Sequence, residues 1–249
     1  MKRSFVAVVA CLFLAIFPSC STAGREPTKL APCVDPKPAQ ARELCPGLTA
    51  EQCRSRLDFA RRITRGTVSL FVTTYEEDRG AEYFGGTGAI IDAQGTVLTA
   101  EHVVHNTYAI VATPREITAD QQPVRHQGIP MRILAMDKTI DAALLVPTFK
   151  NELPAPLPWT AEPLAPGDAV WQFGKTTLWS WGTVKDTAVS YAGIDNTVRT
   201  TCYVDHGDSG GPLIDNQGRV RGLLTRMDPD HNGYFVPLGF ALRTLGYPK

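Results

Sequence analysis

From residue 66 onward the chain is built of short apolar runs, rich in β-branched residues and broken by glycine and polar turns. Val68-Ser69-Leu70-Phe71-Val72, Gly88-Ala89-Ile90-Ile91 and Gly95-Thr96-Val97-Leu98-Thr99 have the composition of strands. Asp92-Ala93-Gln94-Gly95 is a turn signal between the last two, so residues 86–99 predict a hairpin. The pattern recurs at Tyr108–Ala112, Met131–Ala135, Ala142–Val146, Ala169–Phe173, Thr197–Val204, Pro212–Ile214, Val220–Leu224 and Tyr234–Val236. Many short strands with frequent turns argue for an all-β barrel or sandwich. Pro147, Pro154, Pro156, Pro158, Pro163 and Pro166 crowd one stretch. Proline removes a ladder donor, so this stretch cannot be a central strand. Residues 147–166 are expected to link a first barrel, about 66–146, to a second, about 167–246.

The segment before these strands has a different character. Thr49-Ala50-Glu51-Gln52 has the spacing of a capping box, and Leu57, Ala60 and Ile63 would share one face of a short helix. Residues 24–48 are proline-rich and polar and read as an irregular leader, so 21–65 is set apart from the domain at 66–249. At the start, Lys2 and Arg3 precede an uncharged apolar run from Phe5 to Phe17. That run is short of the roughly 20 residues needed to span a bilayer, and it reads as a secretory signal over 1–20. Ser21-Thr22-Ala23 offers a cleavage site after 23. Phe17-Pro18-Ser19-Cys20 resembles a lipobox, which would make Cys20 a lipidated first residue. The expected location is the bacterial periplasm or cell envelope, with any membrane attachment made through Cys20.

Composition narrows the field. Lys plus Arg (25) equals Asp plus Glu (25), so the net charge is zero and no nucleic-acid footprint is expected. With Cys11 lost in the signal and Cys20 lipidated, Cys33, Cys45, Cys53 and Cys202 remain. They could form disulfides in an oxidising compartment, in any of three pairings. The absence of a C-x-x-C pair speaks against a zinc site made from them.

The candidate chemistry centres on Gly207-Asp208-Ser209-Gly210-Gly211-Pro212. A nucleophilic serine needs a tight glycine-flanked turn that exposes its hydroxyl and aims backbone N–H groups at one point. Ser209 is the candidate nucleophile, and the amides of Gly207 and Ser209 are the candidate oxyanion donors. His102 ends an apolar strand, whereas His126, His206 and His231 sit in polar contexts. Asp141 opens the apolar run Ala142-Ala143-Leu144-Leu145 and should be buried, which calls for a hydrogen-bonding partner such as an imidazole. Asp137 is the weaker candidate. Glu101 is expected to point to solvent.

The hexapeptide resembles the active-serine motif of the chymotrypsin-like peptidases. Leu98-Thr99-Ala100-Glu101-His102-Val103-Val104 resembles that family's histidine motif in its HtrA-like form, and Thr139-Ile140-Asp141-Ala142-Ala143-Leu144-Leu145 resembles its aspartate strand. The order His, Asp, Ser is also the family's. The likeness spans roughly residues 66 to 246. It implies two six-stranded antiparallel barrels and a His102–Asp141–Ser209 triad that hydrolyses protein or peptide substrates through an acyl-enzyme, with no metal or cofactor. It places Thr225, Arg226 and Met227 on the strand that pairs with substrate and Tyr203 at the pocket floor. A tyrosine floor implies small or medium uncharged residues before the scissile bond, unless Asp205 takes that place. Asp208 would find a partner, either an arginine or a new terminus cut at Arg65-Gly66. The HtrA-like branch often carries a PDZ domain; the chain ends soon after the last strand, so none is expected. Three other readings remain: a catalytically silent peptidase-fold binding module, a metal site built from His102, His105 and Asp141, and an esterase using the same triad, against which the fold analogy favours peptides. Oligomeric state is not legible.

Overall fold

The computed structural model describes residues 49–76, 80–116, 126–149 and 154–248. The signal, both cleavage sites, Cys20, Cys33, Cys45 and the leader lie outside the described residues.

Strands β1 (Thr67–Glu76), β2 (Gly80–Ile90), β3 (Val97–Thr99), β4 (Ala109–Pro114), β5 (Ile129–Asp137) and β6 (Ala142–Pro147) close into one barrel in the order β1-β2-β3-β6-β5-β4. Strands β7 (Ala169–Gly174), β8 (Leu178–Tyr191), β9 (Ile194–Tyr203), β10 (Pro212–Asp215), β11 (Val220–Met227) and β12 (Asn232–Pro237) close a second barrel in the order β10-β11-β12-β9-β8-β7. Every pairing between these strands is antiparallel, as expected for the double barrel. Helices α1 (Ala50–Arg65), α2 (Glu101–Val104) and α3 (Leu238–Thr244) complete the described elements.

The side-chain pattern explains the closure. In β4, Ile110 and Ala112 point inward while their neighbours are half-buried, the period of two of a strand with one face on a core. In β6, Ala142, Ala143, Leu144 and Leu145 are all buried, so both faces of that strand are covered. Val170, Val184, Val198, Cys202, Leu213, Leu224 and Phe235 fill the second barrel. The core of the first barrel runs on into Phe173, Ile214, Val220, Leu223, Val236 and Leu238 of the second half.

Helix α1 begins at the expected capping box: Gln52 N donates to Thr49 Oγ1 (3.2 Å) and Thr49 N donates to Gln52 Oε1 (2.9 Å). Leu57, Ala60 and Ile63 are buried, and Ala60 and Ile63 join the same core as the first barrel. Phe59 lies 5.2 Å from Trp171 between ring centroids, and the Arg56 guanidinium sits over the rings of Trp171 and Trp181. The helix is thus packed as part of the folded unit.

Besides the single-turn helix α2, two elements escaped the pattern reading. Strand β8 exposes much of its length and shifts register against β9 three times, so Lys185, Asp186 and Ser190 hide its alternation. Helix α3 follows β12 directly, and its buried residues Leu238, Ala241 and Leu242 read as a continuation of that apolar run.

The cysteine expectation needs correction. Cys202 is a free thiol, fully buried in the second barrel, with its Sγ 3.7 Å from the Val170 carbonyl oxygen. Cys53 is disulfide-bonded, and Cys202 is not its partner. Burial pushes the Cys202 thiol up to about 11. We predict that Ellman's reagent leaves Cys202 untouched in the native protein at pH 8 and titrates it once the chain is denatured; rapid native labelling would contradict its burial.

Three turns are fastened by aspartates. Asp92 accepts from the Gln94 and Thr96 amides, Asp215 from the Gln217 and Arg219 amides, and Asp228 from the Asp230 and Asn232 amides. Asp92 also accepts the Tyr247 hydroxyl (2.6 Å), and Asp215 accepts Arg219 Nε and Arg221 Nη1. Burial alone would raise these carboxyl pKa values, but the hydrogen bonds outweigh it and hold all three below the ordinary value. A carboxyl depressed in the folded state contributes stability above its unfolded pKa of about 3.9, and that stability is lost as pH falls through the folded value. The melting temperature should therefore hold steady from pH 7 to about 5 and fall steeply below about 4. A flat profile down to pH 3 would overturn this account.

Candidate active site

His102 sits on the single-turn helix α2, directly after the buried strand end Val97–Thr99. Its backbone N–H donates to Asp141 Oδ1 (2.9 Å), and its Nδ1 lies 2.7 Å from Asp141 Oδ2. A carboxylate can only accept here, so Nδ1 carries a proton and, in the neutral imidazole, Nε2 is the nitrogen left to accept one. Asp141 is 1% exposed and has φ 51, in the left-handed region that aspartate tolerates better than most residues. Asp137, the weaker candidate, instead accepts from the Thr139 and Ile140 amides and shapes the turn that delivers Asp141. Burial alone would raise the Asp141 pKa. The hydrogen bond and charge of His102, then the Thr225 hydroxyl and the His102 amide, outweigh burial and hold the carboxyl below the ordinary range.

The second barrel completes the arrangement. Thr225 Oγ1 donates to Asp141 Oδ2 from β11, and Arg226 Nη1 donates to the same oxygen. A cavity of about 290 Å³ is lined by His102, Val204, Asp205, His206, Ser209, Leu224, Thr225, Arg226 and Met227. His102 and Ser209, 107 positions apart in the sequence, thus share one cavity wall. The Ser209 hydroxyl makes no hydrogen bond among the described residues. The open arrangement is common for such groups without substrate.

The loop around Ser209 is fixed from several sides. Asp208 is fully buried and accepts the amides of Asp205 (3.0 Å), Thr176 (2.7 Å) and Thr177 (3.1 Å), together with the Thr177 hydroxyl (2.6 Å). A ring of local donors therefore holds Asp208, and the arginine expected beside it, Arg115, joins them without a hydrogen bond. Arg115 acts on Asp208 only through its charge; burial pulls that guanidinium down to about 10, with Asp208 partly offsetting the fall. From β2, Thr87 N donates to Ser209 O (2.8 Å) and Thr87 Oγ1 donates to Gly207 O (3.0 Å). Gly207 and Gly210 have φ +94 and +81, and a Cβ on Gly210 would collide with Thr99 Oγ1 and the Thr87 carbonyl, so both turn positions require glycine. Gly210 N and Gly211 N are bonded to Leu224 O and Asp208 O, whereas the Gly207 and Ser209 amides have no acceptor among the described residues.

Two expectations are corrected by this geometry. Tyr203 does not line the cavity. It is 51% exposed and its ring stacks on His231 at 4.9 Å, because the pleat of β9 turns Cys202 inward and Tyr203 outward. Val204, Asp205 and His206 form that wall instead, so the tyrosine-floor argument for small uncharged residues loses its basis. Glu101 does not reach solvent. It is 5% exposed, and its Oε1 lies 2.6 Å from His105 Nδ1 one helical turn on. That pairing turns His105 towards Glu101, and no cluster of metal-ligating side chains is present among the described residues.

Comparison with known proteins fits this geometry. Over 165 residues the chain is 30% identical to the magnetosome formation protease MamE of Magnetospirillum gryphiswaldense, covering 63% of this chain and 20% of the relative. It is 31% identical over 152 residues to the serine protease HTRA1 of Xenopus laevis (56% and 31%), and 26% identical over 179 residues to a probable periplasmic serine endoprotease, DegP-like, of Chlamydia pneumoniae (68% and 34%). The chain thus spans about a fifth to a third of the length of these relatives. The solved structure of an HtrA-type protease, AlgW with tripeptide, shares the fold with a TM-score of 0.60 at 21% identity, covering 76% of this chain and 62% of that one. The trypsin-like peptidase domain matches residues 86–223, from the hairpin before His102 to the strand after Ser209, and the chain belongs to that family.

Proposed function

We propose that the protein is an exported serine endopeptidase that hydrolyses peptide bonds with His102, Asp141 and Ser209. The observation that carries this reading is a hydroxyl, Ser209, in the same cavity as a carboxylate-bonded imidazole, on a glycine turn whose Gly207 and Ser209 amides find no acceptor among the described residues. His102 Nε2 takes the Ser209 proton as the hydroxyl attacks the scissile carbonyl, and the oxyanion moves between the two amides. Asp141 keeps the imidazole in the Nδ1–H tautomer and stabilises the imidazolium without taking the proton. The imidazolium then protonates the leaving amine, and water repeats the steps on the acyl-enzyme. The complete set of groups disfavours the silent binding-module reading.

Export is supported by the charged start and apolar run of residues 2–17 and by the relative named as periplasmic. Among the described residues no helix is long and apolar enough to cross a membrane. An anchor at Cys20 now rests on the Phe17–Cys20 motif alone. With Cys202 a buried thiol, Cys33, Cys45 and Cys53 are the cysteines left to pair beyond Cys20, and their odd number removes the parity argument for lipidation.

Ser209→Ala is expected to lower turnover of a casein or peptide substrate by about 10⁴-fold or more and to abolish labelling by a fluorophosphonate probe, with an unchanged melting temperature. Turnover within tenfold of the parent would remove Ser209 from the mechanism.

Asp208→Ala is expected to release the amides of Asp205, Thr176 and Thr177 together and to let the oxyanion loop relax. Turnover should fall by about 10²-fold or more, the scale of losing one oxyanion donor, with His102 and Asp141 intact. Unchanged turnover would show that Asp208 does not hold the loop.

A further inference from the structure

Arg226 stands beside Thr225 on β11 and lines the cavity that holds His102 and Ser209. Its side chain is 31% exposed, and all of its hydrogen bonds are made by one nitrogen. Nη1 donates to Asp141 Oδ2, to the Thr225 carbonyl (2.8 Å) and to Thr225 Oγ1 (3.3 Å), and lies 3.1 Å from His102 Nδ1. Nε and Nη2 make no hydrogen bond among the described residues. These two nitrogens form one edge of the guanidinium, a rigid pair of donors whose spacing matches the two oxygens of a carboxylate.

The anchored nitrogen fixes that edge in place. Holding Nη1 on a carboxylate that is 2% exposed removes most of the rotamer freedom an exposed arginine would lose on binding. Asp141 Oδ2 already receives His102 Nδ1 and the Thr225 hydroxyl as well as Arg226, so it has no capacity left for the remaining donors of the guanidinium. The acid on the cavity wall itself, Asp205, has its Oδ1 engaged by the His206 amide at 2.7 Å. A two-donor edge on a residue of the cavity wall is therefore left with no acceptor among the described residues.

We infer that Arg226 is a specificity residue that binds a carboxylate of the substrate within about three residues of the scissile bond. That carboxylate is either an Asp or Glu side chain or the C-terminus of a short peptide. The inference rests on the proposed triad only for the location of the scissile bond.

The test uses dansyl-labelled hexapeptides built on alanine and valine. One set is amidated and carries Glu or Gln at each position in turn; a second set has no acid and ends in a free or an amidated carboxyl. Binding is measured by anisotropy on the Ser209→Ala protein, and kcat/KM is measured on the parent. The expected result is preference by about tenfold or more for Glu over Gln at one position, or for the free over the amidated terminus, in binding and in kcat/KM alike. Which set responds identifies the source of the carboxylate. Adding Arg226→Gln should bring the ratio to within about twofold, and Arg226→Lys, which keeps the charge and loses the fork, should leave an intermediate ratio. Equal or undetectable binding of all pairs, a preference that survives Arg226→Gln, or dominant selection of Lys or Arg through Asp205 would overturn the inference. A carboxylate preference in binding together with no cleavage by the parent would leave it standing and reject the triad reading.

Discussion

The arrangement depends on one buried anion. Asp141 belongs to the first barrel, yet its Oδ2 is bonded by Thr225 and Arg226 from the second. A carboxylate withdrawn from water must be fully satisfied, because an unpaired buried charge costs several kcal/mol. Here satisfaction requires that β11 of one barrel lie against the turn that opens β6 of the other. The group that would set the histidine tautomer is therefore also a fastening between the barrels. Its depressed pKa and left-handed backbone mark a position that the surrounding structure has to hold.

A second fastening runs through Thr87. Its amide and hydroxyl reach Ser209 O and Gly207 O across the barrel boundary, and its carbonyl accepts Thr99 Oγ1 in the strand leading to His102. The backbone of the serine loop and the approach to the histidine are thus tied to one residue of β2. This is how hydrogen bonds let a cavity join side chains from two separately closed sheets. It also explains why glycine is needed at 210, where the loop presses on Thr99 and Thr87.

Much of this was legible in the sequence where local chemistry is unambiguous. The Thr49 capping box, the Asp92 turn, the alternating strands and the glycine-flanked serine each specify their own geometry within a few residues. Tyr203, Glu101 and Cys202 were misplaced because their environments are set by tertiary contacts. The pleat of β9 decides which of Cys202 and Tyr203 faces inward, and the pocket wall then falls to Val204, Asp205 and His206. Glu101 is buried because His105, one turn later on the same side, neutralises the cost of burying it. Arg226 was placed on the right strand, but nothing in a sequence says that its guanidinium folds back onto Asp141. Strand β8 and helix α3 were missed for the complementary reason: their registers and packing, more than their own residues, define them.

The segments outside the barrels also contribute to the site. Trp159 Nε1 and Leu157 N, in the proline-rich linker, donate to the carbonyls of Ile91 and Ile90 at the end of β2. Tyr247, just beyond α3, reaches the Asp92 turn of the first barrel with its hydroxyl, and burial together with Asp92 pushes that phenol up to about 12, so the donor stays protonated at any ordinary pH. Helix α1 inserts Ile63 into the core of the first barrel while Phe59 and Arg56 lie on tryptophans of the second. None of these straps involves a residue that lines the cavity of Ser209. A displacement of about 1 Å between reacting groups can cost about 10²-fold in rate. A site divided between two barrels therefore needs restraint on every side of their junction, and these straps supply it where the triad residues themselves do not reach.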